Sequence, residues 1–94
     1  MLLSDFQKSA RYIAARNLTP NVAAVAASWT ASTNHVHVTY FLFEPPTADD
    51  EEWRELTVGE LVAEFPVIQT ACSSFGGVAD VKSVERDDLV FERT

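Results

Sequence analysis

Apolar residues recur at helical spacing near the start of the chain, where Leu3, Phe6, Ala10, Ile13 and Ala14 mark one face. The pattern predicts a first helix over 5–16, with Ser4 and Gln7 placed as a capping box. Arg11 and Arg16 fall toward the end where the helix dipole favours cations. Asn17 can take the closing turn, and Thr19-Pro20 blocks continuation because a residue before proline is pushed out of the helical region.

Between residues 22 and 43 the period changes to two, which reads as two strands around a turn at Thr33-Asn34. Setting Ala31 opposite Val36 places Trp29 opposite Val38, Ala27 opposite Tyr40 and Val25 opposite Leu42. One face then gathers Val25, Ala27, Trp29, Val36, Val38, Tyr40 and Leu42. A one-residue slip would scatter that group, whereas a four-residue loop keeps the same faces. The opposite face carries Ala24, Ala26, Ser28, Thr30, His37, Thr39, Phe41 and Phe43.

Glu44-Pro45-Pro46 ends the second strand, and Thr47 is placed to cap a second helix whose first turns hold the acids of 49–52. Val58, Leu61, Val62 and Phe65 mark its apolar stripe. Thr57 with Glu60 forms a possible second capping box, and Gly59 weakens continuity, so a break near Thr57 is expected within 47–65. Residues 67–75 fit either period, and the spacing of Val67, Ala71 and Phe75 with Gly76-Gly77 as a stop favours helix. Val78 to Glu85 and Leu89 to Glu92, around Arg86-Asp87-Asp88, form a second expected hairpin. The fold expected is one α+β domain over 1–94, in the order α-β-β-α-β-β. Its four-stranded antiparallel sheet should carry two helices on one face.

Composition supports a packed domain: 47% of residues are hydrophobic, and only three are glycine and four proline. With Cys72 as the sole cysteine, no internal disulfide and no thiolate metal cluster can form within one chain. Nothing at the start reads as a signal peptide and no apolar run approaches the roughly 20 residues needed to span a bilayer, so a cytoplasmic location is expected.

Charge changes the picture more. The net charge is −7, and it is segregated. From Glu44 to Glu64 eight carboxylates face one cation, Arg54, whereas residues 1–43 hold Lys8, Arg11 and Arg16 against Asp5 alone. Such a balance disfavours nucleic acid, whose phosphates supply most binding affinity, and equally disfavours anionic lipid. It suits a basic protein partner.

No catalytic constellation or cofactor motif emerges. His35 and His37 share a strand face about 7 Å apart, but a closed metal site needs further ligands. Cys72 lies among Thr70, Ala71, Ser73 and Ser74, which supply no charge to activate it, and it reads as a buried structural thiol. The Asp49-Asp50-Glu51-Glu52 run lacks the alternating ligand spacing of a calcium loop. It reads either as a solvated helix start or as a partner-binding patch. Phe41 and Phe43, on the face away from the helices, are either exposed beside those acids or covered by another segment.

The stretch from Leu18 to Trp29, then His37 to Glu44, the acidic helix with Glu60-Leu61-Val62-Ala63-Glu64-Phe65, and the ending Leu89-Val90-Phe91-Glu92-Arg93 together resemble small bacterial immunity proteins. These are the partners of contact-dependent growth inhibition toxins and of colicins. Residues 66–80 depart from the pattern. The resemblance implies a non-enzymatic antitoxin that binds and neutralises a cognate toxin domain, commonly a nuclease, without a cofactor. The expected toxin-binding residues are Glu44, Asp49, Asp50, Glu51, Glu52 and Glu55, with Phe41, Phe43 or Trp53 as anchors. Strand addition at a sheet edge is a second route to docking. The alternatives are a structural or adaptor subunit of a larger assembly and a small enzyme completed by a second protomer.

Overall fold

The hairpin organises the structure. In the computed structural model, which describes residues 1–93, strands β1 (Val22–Thr30) and β2 (His35–Leu42) pair antiparallel. The turn is the four-residue form, and Asn34 closes it in the left-handed conformation at φ 48°, which asparagine tolerates. Trp29 stands opposite Val36, Ala27 opposite Val38 and Val25 opposite Tyr40, two residues away from the tighter alignment. Because side chains alternate with period two, that shift leaves both faces intact. An irregularity between Val22 and Ala24 adds Val22 to the core face.

That face meets two helices. Helix α1 (Leu3–Arg16) contributes Phe6, Ala10, Ile13 and Ala14, and helix α2 (Ala48–Glu64) contributes Leu61. Phe6, Val22, Val25, Val36, Val38, Tyr40 and Leu61 are fully buried there. Each such aliphatic side chain contributes about 1.5–3 kcal/mol relative to exposure.

The helix ends differ from the expected ones. Helix α1 begins at Leu3, so Ser4 lies inside it and the Ser4–Gln7 box does not form. The Gln7 amide donates instead to the Asp87 carbonyl at 2.9 Å, joining the helix to the tail. Helix α2 does start at Thr47, whose hydroxyl accepts from the Asp50 N–H while the Asp50 carboxylate accepts from the Thr47 N–H. It runs unbroken through Thr57 and Gly59. The Thr57 hydroxyl is drawn into the core, donating to the Trp53 carbonyl and lying 2.6 Å from the Tyr40 hydroxyl, so it is not free to cap a second helix.

Residues 70–77 correct the expected helix over 67–75. They form strand β3 (Thr70–Gly77), parallel to β2 from His35 opposite Thr70 to Leu42 opposite Gly77. Val67, Ala71 and Phe75 are four apart, a spacing that satisfies both periods. The structure selects period two, with Ala71 and Phe75 against the core. A parallel pair needs a long crossover, and α2 is that crossover. The sheet is therefore mixed, not antiparallel throughout.

The tail hairpin does not form either. Val78–Ser83 and Arg86–Asp88 are 3-10 turns, and strand β4 (Leu89–Glu92) pairs antiparallel with β1, giving the order β3-β2-β1-β4. The first turn is set by Asp80, whose carboxylate accepts from the Gly77 N–H at 3.1 Å. Val81, Val84 and Leu89 then pack over Ala24, Ala26 and Phe41, covering that part of the sheet's second face. Among the described residues, no helix is long and apolar enough to cross a membrane.

Candidate functional site

The acidic residues separate into one structural group and one free surface. Asp50 is completely buried, in contrast to its expected place on a binding surface. Its carboxylate accepts from the Thr19 hydroxyl at 2.5 Å, from the Asn21 amide at 2.9 Å and from the Thr47 N–H at 2.9 Å. Burial alone would raise its pKa, but these hydrogen bonds outweigh it and hold the carboxyl below its ordinary value. Asp50 ties the β1 entry to the start of α2. It is a cap.

Glu44, Asp49, Glu51, Glu52 and Glu55 are all exposed. The segment that follows β2 places Glu44 beside the start of α2, where Asn21 holds the Glu44 backbone by bonds to its N–H and carbonyl. The remaining four acids occupy the outer turns of α2. Arg54, the cation within this block, is mostly buried: the guanidinium lies 4.1 Å from the centre of the Phe75 ring, and the side chain is only 17% exposed. It also donates to Glu55 at 3.0 Å, and Glu55 accepts in turn from the Ser73 hydroxyl at 3.1 Å.

Of the expected aromatic anchors, only Phe43 is free. It is 51% exposed, Trp53 is partly buried, and Phe41 is buried under Val81, Val84 and Leu89. Phe43 lines a shallow concavity with Glu44, Pro45, Pro46, Phe75 and Gly76, at the carboxyl ends of the two parallel strands. Leu56, 43% exposed, adds an apolar position on the outer side of α2.

The polar half of the second sheet face was not legible from spacing. Because β3 is parallel to β2, Cys72 comes beside His35, with Sγ 3.3 Å from Nε2, and His35 Nδ1 lies 2.7 Å from the Thr70 hydroxyl. One step along, His37 Nε2 lies 2.9 Å from the Ser74 hydroxyl. Cys72 is exposed, which corrects its reading as a buried thiol. Among the described residues, no three histidine, cysteine or acidic side chains are placed to hold a metal ion.

A second groove lies between the helices, lined by Lys8, Arg11, Tyr12, Ile13, Glu64 and Phe65. There the charges are mixed, and Arg16 is taken up by a salt bridge to Glu60 and by the Tyr12 ring. No protein-family model matches this chain, and no curated protein matches it.

Proposed function

We propose that the chain is an immunity-type protein of the cytoplasm, which neutralises a cognate toxin domain by covering a basic surface of it. The observation that carries this reading is the exposure of Glu44, Asp49, Glu51, Glu52 and Glu55, with Glu44 lining the Phe43 concavity and Arg54 mostly buried against Phe75 and paired with Glu55. A toxin that works on nucleic acid presents cations where its substrate binds, and those are the groups this surface attracts. Carboxylates at such a surface speed encounter and set specificity, whereas a buried aromatic supplies most of the affinity. Phe43 is suited to the second role and the outer acids of α2 to the first.

A toxin domain encoded beside this chain is expected on this reading, and the test uses that domain. The double variant Glu51→Lys with Glu52→Lys should lower its association rate at low salt about tenfold, flatten the salt dependence and weaken protection of cells. Phe43→Ala should instead raise the dissociation rate. Association and salt dependence unchanged by the charge reversal would refute this surface as the contact.

A further inference from the structure

Sheet edges present unpaired backbone groups, and proteins commonly blunt them with short strands, charges, proline or covering segments. The β4 edge follows that practice. It is four residues long, it ends in Glu92, and the guanidinium of the following Arg93 donates to the Val22 and Thr19 carbonyls. The β3 edge is blunted only at its far end, where the Asp80 carboxylate accepts from the Gly77 N–H. Strand β3 runs for eight residues without an irregularity, and its sequence Thr70-Ala71-Cys72-Ser73-Ser74-Phe75-Gly76-Gly77 holds no charge and no proline. Among the described residues no strand lies beyond it, and its neighbours along the backbone ladder are β2 and Asn34.

Helix α2 gives this edge a sign. Glu55 reaches Ser73 in the middle of the strand, and Glu51 lies one turn earlier on the same helix side. Val62 lies on that side too, two turns further along, and is 38% exposed. Arg54 lies over Phe75 and pairs with Glu55 at 3.0 Å, so it offsets part of the Glu55 charge, while Glu51 stays exposed one turn away.

We propose that the free edge of β3 receives an extended, cation-bearing segment of the protein partner as a fifth strand. Main-chain hydrogen bonds to β3 supply the affinity, and lysine or arginine side chains on the helix side pair with Glu51 and Glu55. Apolar side chains of the segment meet Val62. The inference rests on the functional reading above only for the basic character of the partner. Cys72, in the middle of β3 with an exposed thiol, is a built-in reporter, since a strand laid alongside would shield it.

The probe is a capped eight-residue peptide alternating lysine and valine. Its controls are the glutamate counterpart and a version N-methylated on the edge-facing amides. The lysine peptide should slow amide exchange within 70–77 about tenfold and slow Cys72 alkylation by iodoacetamide comparably, and neither control should do so. Glu55→Lys should weaken the effect. Protection absent from 70–77, or retained by the N-methylated peptide, would overturn the proposal. A toxin domain that binds while the β3 amides still exchange sinks the edge and spares the immunity reading. A docked lysine peptide with no effect on any toxin does the reverse.

Discussion

Replacing Asp50 by asparagine isolates the structural part of the acidic block. The side chain keeps its shape, but one carboxylate oxygen becomes an amide that points donors at donors. Three hydrogen bonds are at stake, from Thr19, Asn21 and Thr47, in a site with no solvent access. Each bond to a charged buried group is worth about 1.5–3 kcal/mol, and asparagine retains part of the set, so Asp50→Asn should cost about 3 kcal/mol. In a domain of this size that lowers the melting temperature by roughly 12–24 °C. Urea unfolding at pH 7 should show a lower midpoint with an unchanged slope. The acid limb supplies the sign. The Asp50 pKa is lower folded than unfolded, so its stabilisation is complete above the ordinary aspartate value of about 3.9 and is lost as pH falls through the folded value. The gap between wild type and variant should therefore narrow below about pH 4. A cost under about 1 kcal/mol, or a gap that ignores pH, would refute the buried cap.

Two glycines should respond in opposite directions to alanine. A Cβ at Gly76 would stand 2.9 Å from two atoms of the buried Phe41 ring, so Gly76→Ala should destabilise by about 1–3 kcal/mol. Gly59 has no atom within 4 Å of the same position, and Gly59→Ala should stabilise α2 by about 1 kcal/mol in denaturant unfolding. Tyr40→Phe should cost about 1–3 kcal/mol, because the Tyr40 hydroxyl donates to the Asn17 carbonyl at 2.8 Å and contacts Thr57 at 2.6 Å. Burial, opposed by the Thr57 hydrogen bond and helped by nearby Glu60, pushes the Tyr40 pKa up to about 12. Stability from that group should fall as pH rises from about 10 toward 12, read by phenolate absorbance.

The sequence was most legible where periodicity met a single solution. The alternation from Val25 to Leu42 defines the core face whatever the turn length, and Thr47 before a run of acids marks a helix start. It was least legible where a spacing of four residues served both periods, as at Val67, Ala71 and Phe75. Non-local pairing was hidden in the same way. Nothing near Leu89 says that it will lie beside Ala26, and nothing near Cys72 says that it will meet His35. For the candidate site, the exposure of the outer acids was readable from the charge pattern, and the place of Phe43 on the second face from the strand alternation, but not that Phe41 would be covered while Phe43 stays exposed. The withdrawal of Asp50 into a cap was not, since it depends on Thr19 and Asn21, some 30 residues earlier.

Asn34 has a role in the order of assembly. Its carbonyl accepts from the Gln69 and Thr70 N–H groups, at 2.9 and 3.5 Å, so the tip of the first hairpin is also where the third strand starts. The hairpin closes over four residues, whereas Thr70 must return to His35 across 34 intervening residues. Short loops close at lower entropic cost, so the turn comes first and then serves as the landing point for the later strand. By the same measure β4, whose Leu89 returns to Ala26 across 62 intervening residues, is expected to dock after β3, and local opening is expected to begin at these two edge strands.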